Sequence, residues 1–313
     1  MCIRDSNIIE CLFIRINLFV EDLDFICYCF IYSIYNQSHC FEEDLFMTET
    51  EHTVFIFSSN DELMDSHRQQ VKSIVEEVGY TVTSKSQNAD LIISIGGDGA
   101  FLQAARKTSF NSNAIYIGIS TSNDKYLYVD FNINDLLTFK SAIMAPSFDV
   151  RKYPVLEVKI NDEMVYYCLN ELSIRSSIIK TIKMNIVIDD LYFERFNGDG
   201  LIISTPTGST GYSKSLQGAV IDPKLRAFQL TELASVNNNN FRTIGSPMLF
   251  NEDRVLTLKM NKDEKFYPII GLDNEALSVR NIDQIKAKLS SKSIQTLRLN
   301  DNSFFQKLQR NFL

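Results

Sequence analysis

The sequence predicts an α/β domain built on an open parallel sheet, followed by a β-rich domain of antiparallel strands. Three observations carry this. From Met47 to Phe148, short β-branched and aromatic runs alternate with helical patterns, the signature of parallel βαβ units. Beyond Pro146 the apolar runs crowd together, separated by turn pairs such as Asn161-Asp162 and Asp189-Asp190. The chain has 313 residues, long enough for two domains with real cores. The first half is therefore expected to be an open sheet of the Rossmann or flavodoxin kind. The second half, 149–302, is expected to be an antiparallel sandwich.

The elements follow in order. Thr53 to Ser58 is the first strand. A helix starts at Asp61 or Ser66 and runs to about Val78, with Val71, Ile74, Val75 and Val78 on one face, and Gly79 ends it. Tyr80 to Thr83 is a second strand. Leu91 to Ile95 is apolar throughout, as a strand covered on both faces must be. A helix opens after it at Ala100 or Phe101, and Ala114 to Ile119 is the next buried strand. In the β-rich half, strands are expected at Val155–Ile160, Met164–Leu169, Leu172–Arg175, Met184–Ile188, Leu191–Arg195 and Leu201–Ser204. Arg254–Met260 and Ile294–Leu299 extend that half. Ser303 to Leu313 reads as an amphipathic helix with Phe304, Leu308 and Phe312 at helical spacing, completing the first domain.

The net charge of −8 is unevenly placed, with −6 of it before Met47. The remainder is nearly neutral, which excludes a basic nucleic-acid-binding surface. Five of the six cysteines (Cys2, Cys11, Cys27, Cys29, Cys40) also precede Met47, leaving Cys168. That usage fits a reducing cytoplasm and no disulfide framework. The first 46 residues contain no Gly, Pro, Ala or Lys. They lack the basic start and cleavage site of a signal peptide, and their charges argue against a spanning helix. Met1 to Ser6 resembles a translated sequencing-library adapter, so 1–46 is read as a non-native leader and Met47 as the natural start. A real N-terminal extension is the alternative.

Three stretches carry chemistry. Gly96-Gly97-Asp98-Gly99 lies between a strand and a helix N-terminus. Glycines let backbone N–H groups approach a phosphate, and the helix end adds a favourable dipole. Asp98 is out of place against phosphate and is better explained as a base, a metal contact or a hydroxyl binder. The plain alternative is that it caps the next helix. Asn170-Glu171 can read an adenine edge and a ribose diol. Gly198 to Ser215, GDGLIISTPTGSTGYSKS, packs glycines and hydroxyls into one strand and loop, suited to nucleotide or phosphate. The alternative is a turn whose hydroxyls make only structural hydrogen bonds. Asp199, the loop and Tyr212 are expected along one edge.

GGDG at Gly96, LNE at Leu169 and the threonine-rich stretch from Gly198, together with FERFNGDG and QLTELASVNNNNFRTIGSP from Gln229, resemble bacterial NAD kinases. The resemblance spans most of the chain from Met47. It implies transfer of the γ-phosphoryl of ATP, or of inorganic polyphosphate, to the 2′-hydroxyl of the adenosine ribose of NAD, with Mg2+ accompanying the nucleotide. By position it makes Asp98 the general base and gives Gly96, Gly97 and Gly99 the phosphate turn. Asn170 and Glu171 hold NAD. Thr210 and Gly211 lie at the adenine with Tyr212 beside them, Asp199 and Ser215 lie on the nicotinamide side, and Thr207 and Asn197 count among the nucleotide-binding residues. It also implies a homotetramer or homodimer in which Asp199 reaches a neighbouring site. Membrane and nucleic-acid partners are not expected. The chain departs from the family pattern at Ala100, where GGDGT is usual. It departs again at Ser120 to Tyr128, where HTGHLGF is common, and at Asn197, where Arg is common. A diacylglycerol-type lipid kinase also uses GGDG, and a catalytically weakened nucleotide-binding homologue is a third reading.

A chain shortened to begin at Met47 is expected to fold and to keep full activity. Loss of folding on removing 1–46, seen by circular dichroism and an NADP-forming assay, would contradict the leader reading.

Overall fold

The structure is a computed structural model that describes residues 52–261, 268–277, 279, 281–297, 299 and 302–313. The leader expectation for 1–46 lies outside the described residues. The parallel half is centred on β1 (Thr53–Phe57), β3 (Leu91–Ile95) and β4 (Ile115–Ser120). β3 is buried along its whole length between β1 and β4, as its unbroken apolar run predicts. β2 (Thr81–Val82) and β5 (Phe131–Asn132) extend the sheet, every pairing within this half being parallel. Helix α1 (Glu62–Glu77) starts at Asp61, whose carboxylate accepts the Met64 N–H, so the Ser66 alternative falls away. Past its end Gly79 takes a φ of +95°, a conformation that costs glycine little. Helix α2 (Asp98–Lys107) begins two residues before the apolar pattern suggests, because Gly97 already occupies the N-cap position. Helix α3 (Leu136–Ile143), with N-cap Asp135, was not foreseen.

In the second half, β6 (Val150–Ile160), β7 (Met164–Cys168), β9 (Ile182–Ile188), β10 (Leu191–Gly198), β14 (Leu256–Met260) and β17 (Gln284–Leu297) join the same sheet as β1–β5. A second, wholly antiparallel sheet contains β8 (Glu171–Arg175), β11 (Gly200–Ser204), β12 (Ala227–Leu233), β13 (Met248–Asn251), β15 (Ile269–Leu272) and β16 (Glu275–Leu277). The two sheets enclose one core. Leu156, Ile186, Phe196, Leu258 and Ile285 come from one, and Leu172, Ile203, Phe228 and Ile270 from the other. This is the expected sandwich. The chain changes sheets at Gly198-Asp199-Gly200, where β10 ends in the first and β11 begins in the second. Both anticipated hairpin turns form, with positive φ at Asn161, Asp162, Asp189 and Asp190.

The largest difference from expectation is β17. The sequence pattern marks only a short strand near Ile294, but β17 is 14 residues long and welds the two halves together. Its first part pairs antiparallel with β14, and its end pairs parallel with β4 through Gln295 and Ile115. Its other edge pairs with β6, with a register shift between Leu289 and Ser293. Pro154 of β6 sits opposite Ser293 at that shift, a place where a residue without an N–H is tolerated. The chain closes with a one-turn helix α4 (Tyr212–Ser215) in the threonine-rich region and a terminal helix α5 (Phe304–Phe312). Ser303 and Gln306 form a capping box on α5. Its buried residues are Phe304 and Lys307, while Phe312 is exposed, so the Phe304–Leu308–Phe312 stripe does not describe its inner face. Among the described residues no helix is long and apolar enough to cross a membrane.

Candidate active site

The GGDG turn lies at the carboxyl end of β3, where open α/β sheets bind ligands. Gly96 has φ +135°, and a Cβ there would stand 2.8 Å from the Cβ of Ala100. A Cβ on Gly97 would stand 2.5 Å from the Tyr126 ring, so this glycine admits the tyrosine against the turn. Gly99 is exposed. Asp98 is the first residue inside α2 and does not cap it, which removes the capping alternative. Its carboxylate instead accepts two main-chain hydrogen bonds, from Leu127 N–H to Oδ2 and from Tyr128 N–H to Oδ1, each 2.8 Å. Burial raises the Asp98 pKa above the usual aspartate value, while those amides and the Lys307 ammonium oppose the rise. The result is a largely buried carboxylate fixed in direction.

Tyr128 links Asp98 to the Asn170–Glu171 pair. Its main chain holds Asp98, and its hydroxyl donates to Asn170 Oδ1. Its ring stacks on Phe101 of α2 with centroids 5.0 Å apart, and the residue is 4% exposed. Asn170 and Glu171 are shaped from the other side by Asp273, in the turn between β15 and β16. Asp273 Oδ2 accepts from Leu169 N–H at 3.0 Å, and Oδ1 accepts from Asn170 N–H at 2.7 Å and Glu171 N–H at 3.2 Å. The same turn is tied to α2. Arg106 donates to the Leu272 carbonyl at 2.9 Å and to Asn274 Oδ1 at 3.0 Å, and pairs with Glu275. One hairpin thus registers the helix carrying Asp98 against the strand carrying Glu171.

Glu171 is the unsatisfied member. Its Oε2 is buried without a hydrogen-bond partner. Burial, followed by the negative charge of Asp273, pushes its pKa up to about 8. Gly211 faces it, since a Cβ there would come 3.3 Å from Oε2. An orphaned carboxyl at an open glycine wall is what a hydroxyl-bearing ligand would satisfy.

The threonine-rich loop is built onto Asn170. Thr205 N–H donates to the Asn170 carbonyl at 2.9 Å, and the Thr205 and Thr207 hydroxyls donate to the Leu169 carbonyl. Gly208 presses so closely that a Cβ would lie 1.9 Å from the Asn170 carbonyl oxygen. Thr210 and Ser209 hydroxyls bond back to Thr207 and Pro206 carbonyls. The loop's hydroxyls therefore serve its own shape, contrary to their expected role as free donors. What the loop gives the site is backbone, held tightly against Leu169–Glu171. The Arg175 guanidinium sits over the Tyr212 ring, 5.7 Å from its centroid, and Ser215 is exposed.

Asn197 and Asp199 stand apart from this cluster, at the sheet-changing corner that precedes β11. The Asn197 carbonyl accepts Val236 N–H at 2.7 Å, and exposed Asp199 contacts Leu233 and Ser176 through its backbone. β11 runs between that corner and the Thr205 loop. Asp199 and the loop thus occupy opposite ends of one strand rather than one edge of it. The structure gathers Gly96, Gly97, Asp98, Asn170, Glu171, Thr207 and Gly211. Tyr128, Arg106 and Asp273 belong with them but were missed. The LDNE turn flanked by apolar runs signals a hairpin, but nothing in it signals the contact with Leu169 made 104 residues away in sequence.

A glycine turn ending in a fixed carboxylate, joined through Tyr128 to an Asn–Glu pair with an unsatisfied acid, has the form of a nucleotide-binding phosphotransferase site. Comparison with known proteins specifies which. Residues 169–299 match the ATP-NAD kinase C-terminal domain. The chain is 49% identical over 267 residues to NAD kinase 2 of Bacillus subtilis, covering 85% of this chain and all of that one. It is 48% identical to NAD kinase 2 of Bacillus licheniformis with the same coverage. Among solved structures, yeast NADH kinase complexed with NADH aligns with a TM-score of 0.68 at 16% identity, over 84% of this chain and 87% of that one. An NAD kinase from Archaeoglobus fulgidus in complex with ATP gives 0.64 at 21% identity, over 83% and 98%. This chain belongs to the NAD kinase family, and it is an enzyme with NAD kinase activity.

The raised Glu171 pKa has a thermodynamic consequence. Between the ordinary value of 4.5 and about 8, the folded protein holds a proton at Glu171 that the unfolded chain has released. Stability at this site is fully present below the lower value and is lost as pH rises through the upper one. Glu171→Gln is expected to flatten the fall in melting temperature of the ligand-free protein from about pH 5 to about pH 9 and to raise its melting temperature at the alkaline end. Parallel melting curves for wild type and variant would contradict the burial of this acid.

Proposed function

We propose that the GGDG turn receives the phosphates of ATP, that Asn170, Glu171 and Tyr128 hold the adenosine of NAD, and that Asp98 is the general base. The observation that carries this reading is the fixed Asp98 carboxylate, joined through Tyr128 to Asn170. A ribose bound at Asn170–Glu171 presents its 2′-hydroxyl toward Asp98. The carboxylate takes the hydroxyl proton, the 2′-oxygen bonds to the γ-phosphorus, and the bond to the β–γ bridging oxygen breaks to release ADP. Asp98 meets two requirements of a base. Burial raises its proton affinity, and the two amides aim its oxygens. The N-terminus of α2 and the close backbone of Gly96–Gly97 offset the negative charge of the phosphates. The bound ligands named for the yeast and Archaeoglobus relatives, NADH and ATP, support the two substrate classes. Polyphosphate as donor is kept as the alternative.

Magnesium fits as a companion of ATP. Among the described residues no group of three or more His, Cys, Asp or Glu could hold a metal by itself. A magnesium ion commonly relies on substrate phosphates with one or two carboxylates. The ion would be held chiefly by the substrate phosphates and would neutralise charge on the transferring phosphoryl group. The lipid-kinase alternative lacks support beyond GGDG. The threonine loop is moulded onto Asn170, and the matched relatives are NAD kinases along their full length. A homotetramer or homodimer is supported by apolar exposure on edge strand β10, where Leu191 is 65% and Tyr192 57% exposed. In such an assembly the exposed, outlying Asp199 would face a neighbouring subunit's site. The cytoplasm is the proposed location, supported by the single free, buried Cys168 among the described residues.

Asp98→Asn keeps size and shape but cannot act as the base. NADP formation is expected to fall by about 10²- to 10⁴-fold, with KM for NAD little changed. A variant that keeps most of its turnover, measured by steady-state kinetics, would remove Asp98 from the mechanism.

A further inference from the structure

Lys307 is an unusual residue for the terminal helix. Its side chain is 0% exposed, and its Nζ lies 2.6 Å from Asp130, whose side chain is 3% exposed. Nζ also donates to the Leu127 carbonyl at 2.6 Å. Both partners belong to the short segment that approaches Asp98, since Leu127 and Tyr128 supply the amides holding that carboxylate. Other contacts converge on the same joint. Asn302 donates to Asp130 and accepts from Arg310, while Arg151 of β6 donates to the Asn302 carbonyl at 2.6 Å. Lys125, earlier in that segment, donates to the Arg310 carbonyl at 3.1 Å. Lys214 of α4 sits over the Phe312 ring at 4.3 Å. An amphipathic helix needing only burial would place apolar side chains inward. This one buries an ammonium that reaches main chain and carboxylate beside the base.

We propose that Lys307 is a positioning residue for phosphoryl transfer: anchored from α5, it fixes Leu127 to Asp130 so that the Leu127 and Tyr128 amides hold the Asp98 carboxylate in line with the 2′-hydroxyl. This rests on Asp98 acting as the base. The charged and titratable groups around the joint are Asp98 on α2, Asp130 before β5, Arg151 and Tyr153 on β6, and Arg310 and Lys307 itself on α5. The Lys307 ammonium lowers the Asp98 pKa, and the Asp98 charge in turn favours the protonated lysine. Removing the ammonium therefore raises the Asp98 pKa and moves the acid limb of the rate profile to higher pH.

The test is steady-state kinetics of NADP formation across pH, with a thermal melt on each preparation. Lys307→Met is expected to lower kcat by about ten- to a hundred-fold with KM for NAD nearly unchanged, and to shift the acid limb upward. Lys307→Arg, which keeps charge and donors, should recover much of the rate and restore the limb. Lys307→Met leaves Asp130 buried without its partner and so risks the fold. The double variant Lys307→Met/Asp130→Asn removes both charges together, a change that buried pairs often tolerate. The double variant should fold and still show the lower kcat, with a smaller shift of the limb because the Asp130 charge leaves with the ammonium. A folded double variant with wild-type kcat overturns the proposal. Asp98→Asn, run beside them, separates the two ideas. If it loses its rate while the Lys307 variants keep theirs, only the positioning role fails. If it keeps its rate, the base assignment fails first.

Discussion

Two main-chain N–H groups, from Leu127 and Tyr128, set the direction of the Asp98 carboxylate, on which the proposed phosphoryl transfer depends. Main-chain donors are less free to turn away than side-chain donors, so their aim depends on how the segment carrying them is held. That segment has no regular structure, and its shape is imposed from outside. Phe101 stacks on Tyr128, Asn170 accepts its hydroxyl, and Lys307 anchors Leu127 and Asp130. These partners come from α2, the start of β8 and α5, separated by up to about two hundred residues of chain. The site is therefore a product of the whole fold rather than of one motif.

The continuity of the large sheet explains why such distant partners stay in register. β17 passes from the sandwich into the parallel sheet and leads directly to α5. On the other side, the Asp273 turn clamps three consecutive amides at Leu169–Glu171 and is itself clamped by Arg106 of α2. Asn170 and Glu171 are thus held from below by a hairpin and from above by the Thr205 loop. The cost of this rigidity shows at Glu171, where a carboxyl lies buried beside Asp273 with one oxygen unpaired. A site that leaves such a group unsatisfied favours the ligand that completes it.

Much of this was legible in the sequence. β3, the glycine turn and Asp98 are contiguous, and local geometry follows from local sequence there. The sandwich and its hairpin turns were legible from short apolar runs and paired polar turn residues. Other features were hidden for definite reasons. α3 is only eight residues long and its pattern too brief to show a face. Lys307 lies on a helix whose aromatic spacing points elsewhere, and helical periodicity has no means of marking a buried lysine whose counter-charge comes from Asp130. Asp273 looks like any turn aspartate. The composition of the threonine loop announced many hydroxyls but not that Thr205, Thr207, Ser209 and Thr210 would turn them inward to carbonyls.

The central claim is spatial: Asp98, aimed by two amides, meets the 2′-hydroxyl of an NAD held at Asn170 and Glu171. A crystal structure of the chain with NAD and a non-hydrolysable ATP analogue tests it most directly. The 2′-oxygen is expected within about 3.2 Å of an Asp98 carboxylate oxygen, with the γ-phosphate at the Gly96–Gly99 turn on its far side. A ribose bound with its 2′-hydroxyl turned away from Asp98, beyond hydrogen-bond reach even through one water, would contradict the account.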